Sequence, residues 1–275
     1  VELADALGRE AKAADAAEDT NAALQFRYRL ADLKETRLLD KEGALGMYEE
    51  ILAIRSDHEE ALTRVEALVQ KDPLNGRAAE ALAKAYELNG SWAKLAGMIE
   101  LRAGMQPDSD ERKRLFLILA EIREKRLQNP EVAFLALSKA FRVDPSDAAV
   151  RAEMERLGEL SEHHEELASL YEEEFDRLPT ASSIQVALTL GKIYEERLAE
   201  PDMAIRYFEK ARELSEDANA VALPALDRLY RATEKWTELA HVLELEAKAE
   251  QSADEKAALL FRLGQLCEER LNDPQ

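Results

Sequence analysis

The chain has 275 residues, of which 34% are charged and 46% hydrophobic, with a formal net charge of -20 and a pI near 4.8. That charge disfavours nucleic acid and direct insertion at an anionic membrane, and its field attracts a basic protein or peptide. The single cysteine, Cys267, rules out an intrachain disulfide or a four-cysteine zinc site. Ten Gly, eight Pro, 6% aromatic residues and no alternating β-branched runs point to an all-α fold. No stretch of about 18 apolar residues can span a bilayer, and no signal-peptide pattern is expected within these residues. A lone thiol fits a reducing, cytoplasmic compartment; a periplasmic one would need a signal outside this segment.

In chain order, helical spacing predicts helices over residues 2–18, 21–38 and 42–54. Residues 58–74 follow, with Ala61, Val65, Leu68 and Val69 spaced for one additional amphipathic helix. An odd helix there predicts a local change in stacking direction. Helices are then expected over 75–89 and 91–104, where Asn89-Gly90 ends the first and Ser91 caps the second. Segments 108–128, 130–143, 147–160, 162–177, 182–199 and 201–214 come next. Asp144-Pro145 breaks the chain and Ser146 restarts it. Pro224 places the start of the next helix near Val221 or Ala222, since proline is tolerated only in a first turn. Helices over 235–250 and 254–271 complete the series.

One stretch recurs. LGKIYEERLAEPDMAIRYFEKA, from Leu190 to Ala211, returns as LAEIREKRLQNPEVAFLALSKA from Leu119 and as LADLKETRLLDKEGALGMYEEI from Leu30. A shortened copy, LGQLCEERLNDPQ, begins at Leu263. The first spacing is 89 residues and the next two are 71 and 73, so the surplus falls at 58–74. Each copy reads as helix, short turn, helix, a hairpin that buries its apolar face only by stacking on neighbours. Units are expected near 1–56, 57–107, 108–146, 147–180, 181–217, 218–252 and 253–275. The chain begins at Val1 and closes within a copy, so it reads as a segment of a longer protein.

Trp92 and Trp236 are 144 residues apart with His164 midway, so each period of about 72 holds two units. Leu190, Gly191 and Tyr194, followed by Ala204, Phe208 and Ala211, resemble the two helices of the tetratricopeptide repeat. Ala133, Leu137, Ala140 and Pro145 fit the second half of another unit. Leu82, Ala83, Tyr86, Gly90, Trp92 and Pro107 fit a third. The alternate units depart from the pattern, with Glu155 and Asp227 in place of the small residue. The resemblance, which extends to the long arrays of large bacterial tetratricopeptide proteins, implies a right-handed α-solenoid of stacked antiparallel hairpins, with a concave face that binds partner segments. It also places Gly191 and Gly264, or Ala31 and Ala120, where paired helices cross.

In that register an acidic ladder emerges as the candidate partner-binding surface. Glu35, Glu124, Glu195 and Glu268 share one position, Asp32, Glu121, Lys192 and Gln265 lie a turn earlier, and Tyr28, Leu117, Leu188 and Phe261 two turns earlier. By the resemblance these twelve face the concavity, where acids beside apolar rungs suit a basic or amphipathic segment. The bland alternative is a solvated face whose apolar rungs pack on neighbouring helices. Arg37, Arg126, Arg197 and Arg270 close their helices and are expected to cap carbonyls or bridge to the next repeat. Cys267 stands at a packed tyrosine position, so it reads as a buried structural thiol. The four histidines show no i, i+4 pairing, and no phosphate loop, GxSxG elbow or HExxH occurs.

The expectation is therefore a non-catalytic protein–protein interaction scaffold without cofactor or metal, binding a basic partner and open to self-association. The alternatives are a regulatory or structural arm of a larger catalytic or membrane protein, or a self-assembling array.

Overall fold

The computed structural model describes residues 2–271, all of whose regular structure is helical. The chain divides into two units, one ending at Val143 and one starting at Asp144. The first holds α1 (Glu2–Ala16), α2 (Thr20–Thr36), α3 (Lys41–Ile54), α4 (Glu59–Lys71), α5 (Gly76–Asn89), α6 (Trp92–Met105), α7 (Ser109–Glu121) and α8 (Pro130–Val143). The second holds α9 (Ala148–Leu160), α10 (His164–Glu174), α11 (Thr180–Glu196), α12 (Pro201–Leu214), α13 (Asn219–Ala232), α14 (Trp236–Ala249) and α15 (Ala253–Leu266). Consecutive helices form tetratricopeptide-like hairpins. The additional helix expected at 58–74 is α4.

Helix boundaries follow local chemistry. Asp19, Asp40, Asn75, Asp108 and Asp147 each accept a first-turn backbone N–H, the usual N-cap bond. Ser91 holds the N-cap position of α6 but makes no side-chain cap bond, and Asp147 rather than Ser146 caps α9. Gly90, with φ 71°, ends α5 in the left-handed region. In three copies of the recurrent turn the left-handed residue is not glycine: Leu39, Gln128 and Ala199 have φ of 54°, 51° and 54°. The recurring turn thus carries a local cost that flanking helices must offset. Pro224 corrects an expectation. It lies inside α13, which starts at Asn219 after a 3-10 turn, Glu216–Ala218.

Stacking alternates: helices lie against their chain neighbours, and around α3, α4, α5, α7 and α10 to α14 the two flanking helices are tied to each other by a polar link. In the first unit Arg64 of α4 reaches Asp32 of α2 at 3.0 Å, Arg77 of α5 reaches Glu49 of α3 at 2.6 Å, and Lys94 of α6 reaches Glu66 of α4 at 3.1 Å. Lys139 of α8 reaches Glu100 of α6 at 2.7 Å. In the second unit Arg197, capping α11, pairs with Glu159 of α9. Tyr207 of α12 donates to Glu172 of α10 at 2.8 Å, Arg228 of α13 meets Glu195 of α11 at 3.1 Å, and Lys235, capping α14, meets Asp202 of α12 at 2.7 Å. Arg262 of α15 meets Asp227 of α13 at 2.7 Å. Odd and even helices therefore form two layers within each unit.

Buried tyrosines stitch the layers together. Tyr48 donates to Glu35 at 2.8 Å, Tyr86 to Glu66 at 2.5 Å, Tyr171 to Glu155 at 2.7 Å, Tyr194 to Glu172 at 2.7 Å and Tyr230 to Glu209 at 2.8 Å. The aromatic body fills the seam while the hydroxyl satisfies a carboxylate. Burial first, and the adjacent carboxylate second, push these phenols well above their ordinary range; Tyr207 is pushed up to about 12 from 10.0. The unfolded chain ionises its phenols near pH 10, whereas the folded chain holds these protons to higher pH. Their contribution is complete below pH 10; that of Tyr207 is lost as pH rises through about 12, and those of the other five at higher pH still. Alkaline titration followed by tyrosinate absorbance should therefore show six phenols ionising together with the loss of helical circular dichroism, not before it.

Where α11 and α12 cross, Gly191 lets the Phe208 ring approach; a Cβ there would lie 2.8 Å from ring carbons. At Gly264, in the same register on α15, a Cβ would meet nothing within 4 Å. Gly191→Ala should destabilise the protein by about 1–2 kcal/mol, overpacking outweighing the helix-propensity gain. Gly264→Ala should leave stability unchanged or raise it. Urea unfolding of both variants checks this, and shifts in the same direction would contradict the packing account.

Candidate functional site

The two layers decide where the sequence-expected ladder lies. Five helix steps separate α2 from α7, so in the first unit these motif-bearing helices fall in opposite layers. Tyr28, Asp32 and Glu35 sit in the even layer, and Leu117, Glu121 and Glu124 at the end of α7 or in its π-helical continuation, Ile122–Arg126, in the odd one. In the second unit α11 and α15 share a layer with α13 between them. It carries Leu188, Lys192 and Glu195 on one side and Phe261, Gln265 and Glu268 on the other.

Several rungs are engaged internally. Tyr28 stacks on His58 at 5.9 Å and lies 6.1 Å from Tyr48. Asp32 and Glu35 both face Arg64, at 3.0 and 3.8 Å, and Glu35 also accepts from Tyr48. Glu121 pairs with Lys125 at 3.0 Å, and Glu195 with Arg228. Lys192 lines a groove of about 160 Å³ between α9 and α11 with Glu155 and Glu159. Leu117 and Leu188 are half-buried, Glu124 likewise, and Gln265, Glu268 and Phe261 are exposed.

The terminal arginines do something the spacing did not suggest. Arg126 lies over the Trp92 ring at 4.6 Å and Arg270 over Trp236 at 4.9 Å, cation–π contacts between successive hairpins. Where His164 replaces tryptophan, Arg197 turns to Glu159, which also lies 3.8 Å from His164 Nδ1. Cys267 corrects another expectation. It is half-buried in the π-helical turn Cys267–Leu271, not enclosed, because α15 packs by one face only among the described residues.

A groove of about 1280 Å³ lies between α13 and α15, floored by the end of α14. Leu223, Pro224 and Leu259 supply apolar wall, and Glu216, Asp217, Asp227, Glu246 and Glu250 face two cations, Arg228 and Arg262. Asp227 is held by Arg231 at 2.9 Å and by Arg262. Arg228 is committed to Glu195. Glu246 makes no ion pair of its own among the described residues. Burial, and then the neighbouring Asp227 charge, hold its carboxyl above the ordinary value, with Arg262 and Arg231 offsetting this in part. The sequence flagged Asp227 only as a misfit to the repeat and missed Glu246, which is one of 57 acidic residues with no distinguishing spacing.

No group of three or more His, Cys, Asp or Glu placed to hold a metal occurs among the described residues. No helix there is long and apolar enough to cross a membrane. No family model and no curated protein matches the chain. Among solved structures, the chain is similar to a tetratricopeptide repeat protein from Parabacteroides merdae, at 14% identity and TM-score 0.37 over 96% of this chain and 99% of that one. It is also similar to yeast Tom70, at 14% and 0.38 over 98% and 60%, and to the type IV pilus biogenesis factor PilW, at 16% and 0.37 over 86% and 98%.

A raised carboxyl favours the protonated form on folding. Glu246 therefore contributes fully below its unfolded value near 4.5, and that contribution is lost as pH rises through its folded value. Glu246→Gln should raise the melting temperature at pH 7 by a degree or two at most, with the gain vanishing toward pH 4. Scanning calorimetry across that range tests it.

Proposed function

We propose that this chain is a non-catalytic protein–protein interaction scaffold whose second unit takes up a basic, partly apolar segment of a partner. The observation that carries the reading is the unbalanced acid of the α13–α15 groove, with Glu246 near the Asp227 charge beside an apolar wall. A partner's lysine or arginine entering there would relieve that repulsion, and an aliphatic neighbour would cover Leu223 and Leu259. Unit charge supports the same polarity: residues 144–275 hold 31 acidic and 15 basic side chains, net -16, against 26 and 22, net -4, over residues 1–143. Exposed rungs on α15, Phe261 and Gln265, and Glu268 in the π-helical turn that continues it, extend the surface, together with Lys192 and Glu195 on α11. Long-range attraction of this kind speeds encounter and weakens with salt.

The test is fluorescence anisotropy of a labelled peptide of alternating lysine and leucine, titrated with the full chain at two ionic strengths. Binding should weaken as salt rises. The double variant Glu216→Lys/Glu246→Lys should reduce affinity at least about tenfold, or ~1.4 kcal/mol, with helical content kept. No binding at either ionic strength, or binding indifferent to the double variant, would refute the assignment.

A further inference from the structure

The chain is not uniformly acidic. Residues 92–143, covering α6 to α8, carry ten basic and seven acidic side chains, net +3, so the other 223 residues carry net -23. Six of the ten basic residues lie on α7 and its continuation, and four, Lys94, Arg102, Lys139 and Arg142, lie on α6 and α8 in the even layer. On α6, Leu101 is 41% and Met105 56% exposed, and on neighbouring α8 Leu135 is 50% exposed. The salt bridge from Lys139 to Glu100 places α8 beside α6. Between α4 and α6 lies a groove of about 320 Å³ whose walls are Val69, Met98 and Leu101, with Gly97 leaving it open and Leu82 and Tyr86 as its floor. Its one carboxylate, Glu66, is engaged by both Tyr86 and Lys94.

Gly97 and Gly104 sharpen the case. Both lie inside α6, where glycine weakens a helix, and a Cβ on either would meet nothing within 4 Å. The fold's own packing does not call for them, in contrast to Gly191. They leave a shallow channel along α6 into which another backbone can settle closely, with an apolar pocket beside it and Lys94 and Lys139 on its flanks.

We infer that the α4–α6–α8 face of the first unit docks an acidic amphipathic helix, which seats one aliphatic or aromatic side chain in the pocket beside Gly97 and its carboxylates against Lys94 and Lys139. A helix fits because the exposed residues run along one stripe of α6, the arrangement that receives an apolar helix face. An acidic partner fits because α6 and α8 carry four basic and two acidic side chains, and with α4 the face is net +1 (six basic, five acidic) in a chain of net charge -20. A second copy is disfavoured by the repulsion between chains of net charge -20. This surface is independent of the acidic groove and has the opposite charge preference.

The experiment titrates full-length protein into two labelled amphipathic peptides with the same leucine stripe, one with glutamate and one with lysine on its polar face. The glutamate peptide should bind, and Gly97→Phe, which fills the pocket from an exposed position, should weaken it at least tenfold without lowering the melting temperature. Lys94→Glu/Lys139→Glu should weaken it similarly, whereas Glu216→Lys/Glu246→Lys should leave it unchanged. The inference is overturned if the glutamate peptide fails to bind, or if its binding survives Gly97→Phe. It is also overturned if Gly97→Phe instead weakens the lysine peptide, or if light scattering shows concentration-dependent association of wild type that Gly97→Phe abolishes. Loss of lysine-peptide binding only in the Glu216→Lys/Glu246→Lys variant leaves the two surfaces distinct and supports both assignments.

Discussion

A three-helix relay underlies both units. A carboxylate on one helix accepts from a phenol on the next, and a cation or second phenol from the helix after that closes on it. Glu35, Tyr48 and Arg64 form one such relay, and Glu66, Tyr86 and Lys94 the next. Glu100 and Lys139 repeat it with Phe116 as the intervening ring, 5.8 Å below the ammonium. Glu172 meets both Tyr194 and Tyr207, whose rings lie parallel at 5.8 Å. Apolar stripes alone would let neighbouring hairpins slide, since leucine and alanine seams specify contact more than register. A half-buried carboxylate that must find a particular hydroxyl does not slide, because losing its partner leaves a desolvated charge.

The relay explains how an acidic chain holds together. Many of its carboxylates are spent within the stack, each neutralised or hydrogen-bonded by a neighbouring helix. What projects outward is the remainder, and it is unevenly divided. In the second unit the remainder is acid gathered around Glu246. In the first it is an apolar strip on α6 with lysines at its margins. The two proposed surfaces, of opposite charge preference, would suit a scaffold that brings different partners together, and neither proposal depends on a reactive group.

Much of the architecture was readable from the residues. The recurring helix pair and the additional helix α4 both followed from spacing, because each hairpin must present the same apolar face to its neighbour. The layer assignment did not follow. Motif similarity puts α2 in register with α7, but stacking counts helices, and inserting α4 shifts every later helix of the first unit by one layer. A ladder drawn by motif therefore joins Glu35 to Glu124, while the folded chain joins Glu35 to Arg64. The tyrosine partners were hidden for another reason: with 57 acids, no single Glu stands out by spacing. Pro224 entered the body of α13, and Cys267 remained half-buried, because tertiary surroundings, not local propensity, decide those positions.

Alternation of layers, with α4 seated between α2 and α6, is what both surface assignments presuppose. Zero-length carbodiimide crosslinking read by mass spectrometry tests it most directly, because it joins only carboxylates and amines already in contact. The account predicts amide links between Glu66 and Lys94, Glu100 and Lys139, and Asp202 and Lys235. Links from Asp32 or Glu35 to Lys84 of α5 or to Lys125 beyond α7, with those three missing, would contradict it.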